Sequence, residues 1–297
     1  IKVGDILPTT SSLEAPETTK YFYMETIFPK SEYVYTTEIN KAIKYQEKIG
    51  GLQSRTNGKF KELNGKEYTV PHNRYDTLLG KRKIFFENCE EGFIYLPSGE
   101  IVSNIPDKIP LDNDFGFFVG LYLAEGWSTL TFVGISNNDE KIRKRITDFC
   151  DRYGVTYHLV VSEGKNVRKG ISSDLKIHSV LLARLFKKIG DTGSANKKIP
   201  DFAYTAPKEF IRGLIDGYFS GDGSVDKDYG AVIASSVSEN LILGVSFLLS
   251  YFNVFGRLSS SQQKKNNVGS KNIKRLYILR ISNGYAQNFA RNFTLTE

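Results

Sequence analysis

The stretch GLYLAEG, residues 120–126, closes an apolar run with a carboxylate, Glu125, held between two small residues. A helix end is a costly place for that charge, because its free carbonyls already carry partial negative charge. The arrangement returns 97 residues later as GYFSGDG, residues 217–223, with Asp222 in the place of Glu125. One such acid reads as a solvated residue at a helix end; two in matching contexts indicate a duplicated unit.

The residues before each acid predict a helix. In the first copy Asp112 or Asp114 supplies a cap, and Phe115, Phe118, Val119, Tyr122 and Leu123 supply apolar side chains. Gly116, Gly120 and Ala124 recur at four-residue spacing and share one face. In the second copy the helix starts after Pro207, with Ile211, Leu214, Ile215, Tyr218 and Phe219 apolar and Gly213, Gly217 and Gly221 at the same spacing. A glycine inside a helix costs about 1 kcal/mol relative to alanine, so a row of them on one face predicts a close backbone contact. The economical partner is the other copy. Packed that way, the helices bring Glu125 and Asp222 together at their ends, where two like charges need a compensating cation. A hard divalent ion such as Mg²⁺ suits carboxylate oxygens, and two acids sharing it suit phosphodiester hydrolysis.

The segment after each acid repeats as well. A β-prone stretch (130–135), a polar cap at Ser136, Asn137 and Asn138 and a helix to about Tyr153 match a strand at 231–234, a cap at 236–238 and a helix at 241–252. Strands at 156–162 and 172–177 match those at 256–260 and 276–282, each pair succeeded by a short helix. Each half therefore reads as αββαββα, an α+β unit duplicated about a pseudo-two-fold axis. A sheet with one face on helices offers the other to solvent or ligand.

That open side is expected to be basic. Arg257, Lys264, Lys265, Lys271, Lys274, Arg275 and Arg280 fall in a stretch without Asp or Glu, and Lys165, Arg168, Lys169 and Lys176 form a weaker equivalent. Such runs fit phosphate contacts, and Gln262, Gln263, Asn266 and Asn267 are placed to read base edges. The chain as a whole has 40 Lys and Arg against 33 Asp and Glu, a net charge of +7 that favours a polyanionic partner. Residues 1–106 have no second copy; between Lys41 and Lys83 they hold eleven Lys and Arg, among them Arg55, Arg74, Lys81, Arg82 and Lys83, against four acids. They read as an extra DNA-contacting module or as a linker with a small β subdomain.

Several other functions are excluded. No run of about 18 apolar residues offers a membrane span, and IKVGDILPTT lacks the pattern of a signal peptide, so an intracellular protein is expected. Cys89, Cys150, His72, His158 and His178 have no zinc or haem spacing, and Cys150 falls in the apolar row of a helix. The segment from Asp222 to Asp228 fails as a calcium loop, with Lys227 at the sixth place and Ile233 at the twelfth. GSANKK lacks the spacing of a phosphate-binding loop.

Together, FVGLYLAEG (118–126) and IDGYFSGDG (215–223) resemble the two copies of the LAGLIDADG motif in single-chain homing endonucleases, especially those carried by inteins. The resemblance covers roughly residues 107–297, as halves 107–206 and 207–297. It implies a monomer that makes a staggered cut at a long asymmetric site in double-stranded DNA, with Glu125 and Asp222 as the metal-binding acids. NKKIPDF (196–202) is similar to the segment before the second motif in which a lysine assists catalysis, which points to Lys197, with Lys198 as the alternative. A matching lysine for the second half is expected past Glu297; Lys264 and Lys274 are weaker substitutes. IKVGDILP resembles the segment leading out of an intein's N-terminal splicing part, although neither a first-residue Cys or Ser nor a terminal His-Asn pair accompanies it. The rival from a different class is a nucleic-acid-binding module on the same scaffold, an RNA maturase or a transcription regulator without cleavage.

Overall fold

A computed structural model describes residues 13–28, 105–163, 171–190, 193–262 and 275–294, together with the backbone of six short strands between residues 35 and 103. Two helices at the centre carry the repeated motif: α1, Asn113–Glu125, and α4, Lys208–Asp222. Asp112 caps α1 by accepting from the Phe115 amide at 2.9 Å. Helix α4 starts after Pro207, which has no side-chain cap, and its first amide, on Lys208, donates at 3.3 Å to the Glu17 carboxylate from the N-terminal segment.

Each half runs as the sequence predicts. The first continues through β3 (Gly126–Ser128), β4 (Val133–Ser136), α2 (Glu140–Arg152), β5 (Thr156–Glu163), β6 (Ile171–His178) and α3 (Val180–Gly190). The second continues through β7 (Gly223–Asp226), β8 (Ala231–Ser236), α5 (Glu239–Ser250), β9 (Arg257–Gln262), β10 (Arg275–Ile281) and α6 (Gly284–Asn292). The sheets are antiparallel, in order β5-β6-β4-β3 and β7-β8-β10-β9. The strand that sequence pattern resolves poorly is the one that leaves the motif helix, β3 or β7, too short to show a period of two.

Val133, Ile135, Leu175 and Ile177 turn inward from the first sheet, and Val232, Ala234, Leu279 and Ile281 from the second; all are buried. Aromatic rings fill the space beneath. Phe118 packs against Phe186 at 4.4 Å between centroids in the first half, and Phe219 against Phe289 at 4.7 Å in the second. Cys150 is buried in this core, and burial pushes its thiol up to about 12, so it packs as a small apolar group. The N-terminal strands β1 (Tyr21–Tyr23) and β2 (Lys108–Pro110) pair antiparallel and dock on the same core through Phe22, Met24 and Phe28. Phe22 lies 4.9 Å from Phe202 between ring centroids.

Candidate active site

The contact between α1 and α4 is made by backbone. A Cβ added to Gly116 would sit 2.1 Å from the Phe210 carbonyl oxygen, and one on Gly120 would sit 1.9 Å from that of Leu214. From the other side, Gly213 would meet the Asn113 oxygen at 2.0 Å and Gly217 the Phe117 oxygen at 2.2 Å. Gly221 faces the Ala124 Cβ at 2.5 Å. Every small residue expected on the shared face lies in this seam.

Both helices turn directly into strands at their acids. Gly126 and Gly223 have extended backbones, so conformational freedom is not why they are glycines. Space is the reason: a Cβ on Gly126 would lie 2.3 Å from the Tyr122 ring, and one on Gly223 would lie 2.2 Å from the Phe219 oxygen. Glu125 reaches across the seam, with its Cγ and Cδ 3.0 and 3.3 Å from the Cβ position of Gly221. It comes to rest beside Asp222, which feels its charge. Burial first, and then the Glu125 charge, pushes Asp222 up to about 7, while Lys197 opposes both. Glu125 is also raised, by burial, against the pull of Asn137 and Lys197.

Lys197 sits under this pair. Its ammonium donates to the carbonyl oxygens of Tyr122 at 2.8 Å and Gly126 at 2.9 Å, which satisfies the C-terminal end of α1. Burial lowers it to about 8, and the two acids pull the other way. Two of its three N–H groups are thus engaged, leaving one donor beside the carboxylates. The Lys197 carbonyl accepts from Ser238 Oγ at 2.6 Å, and the same hydroxyl caps α5. Lys198 instead turns outward toward exposed Asp201 at 3.8 Å. Of the two adjacent lysines, Lys197 is therefore the one at the acids.

Sequence reasoning took Asn137 only as part of a helix cap, yet its Nδ2 donates to Glu125 Oε2 at 2.7 Å. Its Oδ1 accepts from the Asp139 amide at 2.8 Å, which fixes the side chain. Ser236 occupies the matching position in the second half, where its Oγ accepts from the Ser238 amide at 3.1 Å. The spacing was the available signal: a polar residue at the end of the strand that pairs with the strand leaving each motif.

The site fits a hard divalent cation by its chemistry. Two half-buried carboxylates with raised pKa values, Asp222 raised in part by the Glu125 charge, offer oxygen donors and a repulsion that a cation would relieve. The Tyr218 hydroxyl, one turn before Asp222, is buried without a partner and feels the Asp222 charge. Among the described residues no cluster of three or more His, Cys, Asp and Glu side chains gathers. Water and substrate oxygens would complete the shell, as suits Mg²⁺.

Strand register divides the expected DNA-contacting residues between sheet faces. On the outer face of the first sheet one row crosses all four strands: Trp127, Gly134, Lys176 and His158. The matching row of the second sheet is Ser224, Ile233, Arg280 and Arg257. Arg280 also holds Asp226 at 2.8 Å. Arg275 and Gln262 pair with each other on the opposite, helix-side face, and Arg275 lines a cleft with Glu239, Ile242 and Tyr277. A run of basic residues without a period of two had hidden that difference. Lys165, Arg168, Lys169, Lys264, Lys265, Lys271, Lys274, Arg55, Arg74, Lys81, Arg82 and Lys83 lie outside the described residues.

The model of the LAGLIDADG-like domain matches the chain twice, over residues 112–190 and 209–294, more than half of its length, and the chain belongs to that family. Among curated proteins it is 41% identical over 186 residues to the DNA-directed RNA polymerase subunit Rpo1C of Methanocaldococcus jannaschii, a match that takes in 63% of this chain and 20% of that one. It is 27% identical over 190 residues to an A-type ATP synthase protein of Pyrococcus abyssi, covering 61% and 18% respectively. The chain thus spans about a fifth of these relatives. A solved structure of I-DmoI in complex with DNA and Mn is similar at 14% identity and a TM-score of 0.45, covering 63% of this chain and 99% of that one. Among the described residues no helix is long and apolar enough to cross a membrane.

Proposed function

We propose that the chain is a site-specific homing endonuclease of intein origin, which acts as a monomer on double-stranded DNA with Mg²⁺ and makes a staggered cut at a long asymmetric site. The observation that carries this reading is the meeting of Glu125 and Asp222 across the seam, one acid from each half, beside the buried Lys197 ammonium. Two acids placed about a pseudo-two-fold axis match the local two-fold relation of antiparallel DNA strands, and two unlike sheets suit an unlike pair of half-sites.

Intein origin is supported by the company the chain keeps. Similar segments occur in an RNA polymerase component, an ATP synthase protein and Elongation factor 2 of Methanopyrus kandleri, proteins of unrelated function, and cover 12 to 20% of each. A unit that recurs in unrelated hosts behaves as an insert. Residues 1–106 would contribute strand β1, which pairs with β2 of the following half and docks on the core, and an additional basic DNA contact, ahead of the halves 107–206 and 207–297. DNA as substrate implies an intracellular setting.

Mg²⁺, when bound, would lower the pKa of water and offset negative charge growing on the phosphate. Glu125 and Asp222 would hold it. Asn137 fixes the Glu125 carboxylate through its 2.7 Å hydrogen bond, and Lys197 pins the end of α1 while adding positive charge to the site.

Cleavage of a randomised duplex pool, with Mg²⁺ or with EDTA, by wild type, Glu125→Gln and Asp222→Asn tests the proposal. Metal-dependent staggered ends at one asymmetric site, lost in both variants, are expected. Tight binding without cuts under any divalent metal would instead support a binding module.

A further inference from the structure

Two of the three histidines that sequence spacing leaves scattered, His158 and His178, meet on the outer face of the first sheet. Thr156 pairs with His178 and His158 with Lys176, so the two imidazoles are diagonal neighbours on β5 and β6. Nε2 of His178 lies 2.6 Å from Nδ1 of His158, with ring planes 14° apart and centroids 4.7 Å apart. A centroid separation that long for so short a nitrogen contact puts the rings edge to edge, with one proton held between them.

The chemistry of the outward nitrogens is then set. When the pair is neutral, whichever ring donates across the contact, the outer nitrogens, Nε2 of His158 and Nδ1 of His178, present one N–H and one lone pair. After uptake of one proton both are donors, and two donors suit a phosphate. On this face β4, β5 and β6 carry two charged residues, Lys176 and Asp174. Lys176 adjoins the pair and also lies 5.5 Å over the Phe132 ring, which itself sits 6.0 Å from His178. Asp174 is one outward position further along β6 and accepts from Ser136 Oγ at 2.6 Å.

The second half supplies an independent observation. Lys176 corresponds to Arg280, and the residue paired with Arg280 on the outer strand is Arg257. His158 therefore occupies the position that holds a permanent guanidinium in the other half.

We propose that the His158–His178 pair is a phosphate contact of the DNA-facing sheet that takes up one proton when a duplex binds. This rests on the DNA-binding reading above. In the free protein burial, His158 and Lys176 together hold His178 below the usual imidazole range. A phosphate beside Lys176 offsets its charge and reverses the balance.

The test measures binding of a short mixed-sequence duplex in EDTA from about pH 8 to about pH 6, for wild type, His158→Gln and His178→Gln. Wild type should tighten by about tenfold over that range beyond whatever slope the variants show, since one linked proton allows at most tenfold per pH unit. Calorimetry in two buffers of different ionisation enthalpy should show proton uptake near neutral pH for wild type and its loss in either variant. Binding with the same pH slope in all three proteins would overturn the proton-linked contact and leave the DNA reading intact. Absence of duplex binding by wild type at every pH would overturn both.

Discussion

The two halves share a seam and differ on their sheets. At the seam they are nearly interchangeable: Gly116, Gly120 and Ala124 face Gly213, Gly217 and Gly221, and each row presses on the carbonyls or the small residues of the other helix. On the outer sheet faces they have diverged. Where the first half lays Trp127 over Gly134, so closely that a Cβ there would be 2.3 Å from the indole, the second has Ser224 opposite Ile233. Backbone contact tolerates no side-chain change, whereas an outer face can exchange large for small as long as the row remains filled. The difference separates what joins the halves from what, under the proposed function, would let each meet a different half-site.

The largest expected effect comes from the acids. Glu125→Gln and Asp222→Asn should each lower double-strand cleavage by at least about 10³-fold with duplex binding retained. Strand-resolved nicking assays sharpen this: the two variants should impair the two strands unequally if each half governs one. Equal and small losses would break the link between acids and strands.

Next comes the seam. Gly120→Val and Gly217→Val should each destabilise the fold by about 3 kcal/mol or more, because the new side chain meets a carbonyl rather than a movable side chain. Denaturant midpoints measure this directly, and Ser224→Val on the second sheet is the control that should leave them within about 0.5 kcal/mol.

A third test exploits a buried mismatch between the halves. Asp216 stands where α1 has Val119, and it accepts from the Thr294 amide at 2.9 Å. Burial pushes its pKa up to about 6 from 3.8, against the pull of Thr294, Arg145 and Arg212. A raised carboxyl pKa means that ionisation opposes folding, so its contribution is fully present below about pH 4 and is lost as pH rises through 6. Asp216→Asn keeps the acceptor and should stabilise the protein at pH 8 by at most about 3 kcal/mol, with the gain gone at pH 4. Thermal melts at the two pH values decide it.

The smallest effect concerns Asn137, which holds Glu125, and its counterpart Ser236, which makes only the local contact to the Ser238 amide. Asn137→Ala should slow cleavage about tenfold, the worth of one hydrogen bond to a charged group, and Ser236→Ala less. Equal losses would mean that the serine also serves the second acid.

Much of this was readable in advance, for a physical reason in each case. Four-residue spacing of glycines survives as a pattern because a helix repeats its faces, so the seam and the meeting of Glu125 with Asp222 could be deduced before any coordinates. Lys197 needed a family resemblance, since two adjacent lysines look alike until one is seen to donate to Tyr122 and Gly126. Asn137, the His158–His178 contact and the inward side of Arg275 stayed hidden. Each depends on strand register, which joins residues with no fixed separation along the chain.

The seam also makes the molecule resistant to gradual tuning. A side-chain interface can be adjusted a methyl group at a time, but helices that touch through carbonyl oxygens have nothing left to trim. Any enlargement at Gly120 or Gly217 forces the backbones apart, and Glu125 and Asp222, fixed to the ends of those backbones, move with them. Inherited variation should therefore accumulate on the sheets and leave the axis unchanged. A protein engineer faces the same division, with freedom to rewrite the outer sheet faces and almost none to alter the line of contact that sets how far apart the acids stand.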